Sequence, residues 1–189
     1  TTTMRCALGL DFADSGLVEF FGEPLNQKNR ARIGFLPERP YFYEHLTGRE
    51  FLSFYANLNG SWQRSVLNDR IDQLLKRVDL IHAKDRLLRH YSKGMLQKVG
   101  LAQALIHDPE FVILDEPMSG LDPDGRLALA ELILETAKRG PAVFFSSHLL
   151  NDTERLCEHL VVMKDGKVNF AAATEKLLET SDSGVEITY

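Results

Sequence analysis

The residues with most chemistry to offer stand at the end of one short apolar run. Phe111-Val112-Ile113-Leu114 leads directly into Asp115, Glu116 and Pro117. A run of this length reads as a strand covered on both faces. Two adjacent carboxylates at its mouth repel each other, and each is costly to desolvate unless a cation or polar ligand compensates. A bound Mg²⁺ would do so for Asp115, with Glu116, one residue on, placed to orient and deprotonate a water. The alternative is two acids solvated in a loop.

Three other stretches carry usable polar groups. Tyr91-Ser92-Lys93-Gly94-Met95 opens a helical pattern with Ser92 in the N-cap position. Such a terminus, with a hydroxyl and a glycine, suits an anion because its N–H groups and dipole face outward. A plain serine cap is nevertheless the commoner isolated case. Ser119-Gly120-Leu121-Asp122-Pro123 follows the carboxylates and by itself reads as a turn with Asp122 capping the next helix. Ser146-Ser147-His148 follows the apolar run Ala142–Phe145, which sets His148 at the same sheet edge as Asp115. A lone histidine there is more often a satisfied polar residue than a catalytic one.

The elements that must hold these residues follow from periodicity. Met4, Ala7 and Leu8 mark a short helix within residues 1–9; strands are expected at Leu17–Phe21 and Ile33–Leu36. From Thr47 to about Arg89 the pattern is helical, with stripes Phe51/Phe54/Tyr55/Leu58 and Ile71/Leu74/Leu75/Val78 separated by Asn59-Gly60. Thr47 and Glu50 have the spacing of a capping box. Beyond Ser92 come a helix marked by Met95, Val99, Ala102 and Ile106, the strand at 111–114, and a helix from Asp124 with Ala130, Ile133, Leu134 and Ala137 inward. A strand at 142–145, a helix around Asn151–Glu158, a hairpin turning at Asp165-Gly166 and the start of a helix after Thr174 complete the pass. Strand–helix alternation implies a parallel sheet whose ligands sit beyond the strand C-termini.

The 189 residues, 44% hydrophobic and 26% charged, are ordinary for a globular domain. A net charge of −5 argues against a nucleic-acid partner, which calls for a basic stripe. No apolar run approaches the roughly 18 residues of a membrane span. The opening Thr1-Thr2-Thr3-Met4-Arg5 does not read as a signal peptide, so any membrane link is expected to run through a partner. Cys6 and Cys157, far apart and among apolar neighbours, are expected to be buried thiols in a reducing compartment.

Together the four stretches resemble the signature motif, Walker B, D-loop and H-loop of the ATP-binding cassette (ABC) ATPases. They come in family order, with Ser92 preceding Asp115 by 23 residues and Glu116 preceding His148 by 32. The likeness runs from Thr1 to about Ala173, and Leu36-Pro37-Glu38-Arg39-Pro40, Leu46-Thr47-Gly48-Arg49-Glu50 and Tyr91–Met95 are similar to the multidrug and antibiotic exporters. The resemblance implies a P-loop NTPase: an α/β fold with a RecA-like parallel sheet core, an inserted helical subdomain and a small antiparallel part. One ABC ATPase domain would fill 1–189, with core at 1–40 and 101–175, helical subdomain at 41–100 and the start of a C-terminal extension at 176–189.

Roles follow from the resemblance alone. Family ATPases close as head-to-tail dimers over two ATPs. Asp115 would hold Mg²⁺ through water, Glu116 would be the general base, and His148 would contact the γ-phosphate. Ser92, Gly94 and Met95 would reach the ATP of the opposite subunit, and Asp122 would cross the interface. The partners implied are ATP, Mg²⁺, a membrane permease subunit, and a second copy or another ATPase subunit. The setting implied is the cytoplasmic face of the cell membrane. Two other readings stand beside this one: a soluble ABC-type ATPase acting on ribosomes or nucleic acid, and a non-catalytic interaction module.

The chain also departs from the family pattern. No glycine-rich phosphate loop ending in Gly-Lys-Ser/Thr occurs in it. The family helix after that loop often begins as this chain does. Thr1 would then be a Mg²⁺ ligand and Thr2 a phosphate contact, with the first strand, the loop and its lysine expected before residue 1. These residues by themselves are accordingly expected to bind ATP weakly and not to turn over. Glu38 stands where most relatives carry the Q-loop glutamine and could approach the metal. Met95 replaces the signature glutamine, and Lys93 replaces a glycine, facing either a phosphate or solvent. Tyr41, Phe42 and Tyr43 would form the docking site for the membrane subunit or else seat the helical lobe.

Overall fold

The computed structural model describes residues 1–58, 60, 62–149, 153 and 155–174, and these fall into two compact units, Thr1–Ser146 and the residues from Ser147 on. The first unit is built on a parallel sheet of β3 (Ile33–Leu36), β4 (Phe111–Leu114) and β5 (Ala142–Phe145), in the order β3-β4-β5. Pairing is in step, Ile33 with Phe111 with Ala142 at one end and Leu36 with Leu114 with Phe145 at the other. The central strand is buried on both sides at Val112, Ile113 and Leu114, as its unbroken apolar run requires.

Helices cover both faces. On one, α1 (Thr2–Ala7) lays Met4, together with Leu8 just past its end, against Ile113, Ile33, Phe35 and Phe111. On the other, α5 (Lys93–Ala104) packs along β3, and α6 (Pro123–Lys138) packs against α5 and β5. The approach of α5 to β3 is close enough to demand glycine. A Cβ on Gly34 would lie 2.2 Å from the carbonyl oxygen of Ala104, and one on Gly100 would lie 2.7 Å from Leu36 Cδ1. Arg70 closes the far end of α5, donating from Nη2 to Leu105 O at 2.7 Å and from Nε to Ile106 O at 3.2 Å. A cation at a helix C-terminus satisfies unpaired carbonyls and complements the dipole.

The helical stretch forms α3 (Gly48–Leu58) and α4 (Arg64–Arg77), followed by 3₁₀ turns at Ile81–Ala83 and Leu88–His90. The capping box is present: Thr47 N–H donates to Glu50 Oε2 at 2.9 Å and Glu50 N–H donates to Thr47 Oγ1 at 3.2 Å. The Thr47 N–H, and then its hydroxyl, hold the Glu50 carboxyl below the usual range. The apolar stripe of α3 differs from the expected one. Its buried face is Phe51, Leu52 and Ala56, whereas Phe54 is 41% and Leu58 61% exposed. Phe54 finds its cover in the ring of Tyr43, at 5.2 Å between centroids, and Phe42 stacks on Phe51 at 5.5 Å. Phe42 and Tyr43 therefore seat this lobe, while Tyr41 is left 76% exposed. In α6, Leu129, Ala130, Ile133 and Thr136 point inward and Ala137 is exposed, in place of the inward Ala137 expected.

The expected strand at Leu17–Phe21 contracts to β1 (Glu19–Phe20), paired antiparallel with β2 (Glu23–Pro24). Phe21 and Gly22 both take positive φ, 57° and 79°, and turn the chain back after two residues. A short α2 (Gln27–Arg30) follows, capped reciprocally by Asn26 and Asn29.

In the second unit, β6 (His159–Lys164) and β7 (Lys167–Ala173) form the expected hairpin around Asp165-Gly166, with a register shift at Val162/Met163. Both turn residues have positive φ. Of the helix expected around Asn151–Glu158, Thr153, Arg155 and Leu156 are described and helical. The helix expected after Thr174 lies outside the described residues. Both cysteines are free and only half-buried, so neither is the fully buried thiol expected; burial still raises the Cys157 thiol.

Candidate functional site

The in-step register decides what meets at the sheet edge. Because β3, β4 and β5 end together at Leu36, Leu114 and Phe145, their next residues leave the sheet side by side. Asp115 N–H still donates to Leu36 O at 2.8 Å, and Ser146 N–H to Leu114 O at 3.0 Å, extending the ladder by one rung. The backbone then turns at Glu116, whose φ of 47° is unusual for a residue with a side chain. What holds the turn is Ser146. Its Oγ accepts from Glu116 N–H at 2.8 Å and donates to Asp115 Oδ1 at 2.8 Å. Thr1 Oγ1 donates to the same carboxylate oxygen at 3.0 Å, and the Thr1 nitrogen lies 3.5 Å away.

Asp115 is only 2% exposed and Glu116 half-buried. Asp115 is therefore not solvated in a loop. Asp115 sits among hydroxyls, hard oxygen donors of the kind a magnesium ion accepts. Among the described residues no group of three or more His, Cys, Asp or Glu is placed to hold a metal.

Residue type alone does not mark Ser146 for a role. The available signal was positional: it is the first residue past a strand adjacent to the one bearing the carboxylates. Its loss would leave a strained turn without its N–H acceptor and a buried carboxylate short of a donor. Ser146→Ala is expected to destabilise the fold by about 1–3 kcal/mol in urea unfolding, with Ser146→Thr recovering most of the loss.

A second cluster forms where two helices begin. Ser92 caps α5, its Oγ accepting from Met95 N–H at 3.2 Å, and Asp122 caps α6, its Oδ1 accepting from Gly125 N–H at 3.1 Å, with Pro123 in the first turn. The plain capping roles are thus real for both. The two N-termini are also neighbours: a Cβ on Gly94 would reach Leu121 Cδ2 at 4.0 Å, and one on Gly120 would meet Lys93 Nζ at 2.0 Å. Ser92, Lys93 and Asp122 are exposed; Gly94 and Met95 are half-buried.

Thr2 is exposed in the first turn of α1. Glu38, two residues beyond β3, is half-buried and pairs with Arg39 at 3.8 Å. His148 is exposed in the second unit, two residues past Ser146 in the chain.

A parallel sheet covered by helices on both faces, with a buried, hydroxyl-bound aspartate and a following glutamate at its carboxyl edge, is an α/β arrangement of the kind P-loop NTPases have. Comparison with known proteins narrows the class. The ABC transporter family profile matches residues 1–119. An uncharacterised ABC transporter ATP-binding protein of Nostoc sp. is 41% identical over 97% of this chain and 55% of its own length. The bacitracin transport ATP-binding protein BcrA of Bacillus licheniformis is 41% identical over 89% of the chain and 55% of its length. Among solved structures, cbiO1 from Clostridium perfringens, part of the ABC transporter complex cbiONQ, superposes with a TM-score of 0.85 at 26% identity, covering 96% of this chain and 75% of that one. The chain belongs to the ABC transporter ATP-binding family. It spans a little over half the length of the curated relatives it matches. No helix among the described residues is long and apolar enough to cross a membrane.

Proposed function

We propose that this chain is the ATP-binding and ATP-hydrolysing part of an ABC transporter subunit that drives export through a membrane permease by closing on a second copy around Mg²⁺-ATP. The observation that carries the reading is the arrangement of Asp115, Glu116 and Ser146 at one sheet edge, held in a fixed turn. When bound, Mg²⁺ would neutralise phosphate charge. Asp115 and the Thr1 hydroxyl would hold it, with Glu38 approaching from beyond β3 and Thr2 reaching a phosphate oxygen. Glu116 would accept the proton of the attacking water, and His148 would orient toward the γ-phosphate. From the other copy, Ser92 Oγ and the backbone at Gly94 and Met95 would close the site, and Asp122 would cross the interface. Fixed donors and charges aimed at a transferring phosphoryl group supply most of the catalysis in such reactions. The exporter assignment draws on the motif likeness and on the relative named for bacitracin transport. The permease and a place on the inner face of the membrane come with it.

Gly94→Ala separates this reading from a purely structural one. A Cβ there has open space in the fold, its nearest contact being 4.0 Å away, and alanine is the better helix former. Thermal stability is expected to hold or rise, while ATP turnover of the complete protein with its permease falls at least about tenfold, the effect of losing one well-formed transition-state contact. Unchanged turnover would remove the start of α5 from the nucleotide site.

A further inference from the structure

Lys93 is a cation in an unfavourable place. It occupies the first position of α5, where a positive charge opposes the helix dipole. Its side chain folds back over the turn that follows the carboxylates. Measured from an ideal Cβ on Gly120, Lys93 Nζ lies at 2.0 Å, Cε at 3.2 Å and Cδ at 3.8 Å. The ammonium end of the side chain therefore occupies the space that a Cβ at 120 would take, with Cε close against it and Cδ in ordinary contact. Gly120 is needed a second time for its backbone, with φ at +66°. The turn beneath is built from weak, local links: Ser119 N–H to Glu116 O at 3.1 Å and Leu121 N–H to Met118 O at 3.3 Å. On its other side Leu121 is buried and faces Gly94. Residues 92–94 and 119–121 thus form one packed patch, with Lys93 as its outer clamp.

We propose that Lys93 is a positioning residue that ties the start of α5 to the turn at residues 119–121 of its own chain, so that Ser92 and Asp122 are presented to the second copy as one rigid surface. This rests on the dimer-closing reading above. The contact is made by the side chain lying on Gly120, so its length and packing matter more than its charge. The side chain is solvent-exposed, and along the surface it lies over Gly120.

The test is a double-mutant cycle on the complete protein. Lys93→Ala is expected to lower kcat for ATP about fivefold with KM within twofold, and to speed amide exchange at Leu121 severalfold while leaving Phe51 in α3 unchanged. Lys93→Met, which keeps the stem and drops the charge, is expected to stay within twofold of wild type. Gly120→Ala both displaces the flexible end of Lys93 and strains a backbone at φ +66°, so in the Lys93→Ala background its effect is expected to shrink measurably, down to the part due to the backbone. Two results would overturn the proposal: additive effects of Gly120→Ala and Lys93→Ala, or a Lys93→Met variant with a raised KM for ATP and unaltered exchange at Leu121, which would make Lys93 a phosphate partner. Glu116→Gln serves as the reference. If it turns over normally the hydrolytic reading itself fails, whereas an inactive Glu116→Gln beside an additive cycle sinks only the role of Lys93.

Discussion

Glu116→Gln in the complete protein is expected to lower ATP turnover by about 10²–10⁴-fold, the range that a positioned general base contributes, while ATP still binds in the presence of Mg²⁺. The amide matches the carboxylate in size and can still orient a water, but it cannot take its proton. The turn that carries it is held by the backbone N–H of residue 116 on Ser146 Oγ, which the substitution leaves in place. The variant should accordingly keep its fold, and a Tm measured beside the wild type separates loss of turnover from unfolding. Single-turnover kinetics with labelled ATP check both halves. Turnover within a few fold of wild type would take Glu116 out of the role of base.

The largest expected effect on the fold comes from a single methyl group. Gly34→Ala would place its Cβ 2.2 Å from the carbonyl oxygen of Ala104. That oxygen is backbone, so no rotamer change relieves the clash. Either β3 bends away from its pairing with β4 or the end of α5 lifts off the sheet. Overpacking of this kind costs about 1–3 kcal/mol, and more where the neighbour cannot yield. A value near 3 kcal/mol would lower Tm by about 6–12 °C for a domain of this size. Gly100→Ala is the informative contrast. Its new Cβ meets the end of the Leu36 side chain at 2.7 Å, which can turn aside, so a smaller loss is expected. Because α5 also carries Ser92, the Gly34 variant of the complete protein should lose nucleotide turnover before it unfolds. Differential scanning calorimetry alongside ATPase assays at 25 °C follows the two together.

The strand β4 was legible because burial on both faces forces an unbroken apolar run, and the two carboxylates after it had no structural reason to be adjacent. The helix cap at Thr47 was legible because its reciprocal bonds require that residue pair at that spacing. The face of α3 was not. Phe51 and Tyr55 belong to either candidate stripe, and what decides between Phe54 and Ala56 is the aromatic segment at 41–43, which covers Phe54 from outside the helix. Periodicity within one helix cannot report that. β2 escaped because it contributes two residues, one of them Pro24, and α2 because its cap is built from two asparagines instead of a hydroxyl and a glutamate. At the site, residue types identified Asp115 and Glu116, but the part of Ser146 depends on register. Only when Leu114 and Phe145 are known to end in step does a serine 30 residues away become the group that fixes the turn.

That one site is shared between two copies is tested most directly by complementation. In the Glu116→Gln background, Asp115→Asn removes the metal-holding carboxylate and Ser92→Arg blocks closure from the opposite copy, and neither variant alone is expected to retain ATP through gel filtration with Mg²⁺. Co-expressed, the two can form a mixed pair in which one site has an intact Asp115 facing an intact Ser92. The co-expressed protein is expected to retain Mg²⁺-dependent ATP that neither parent holds. A mixture as empty as its components would show that no site is shared between two copies.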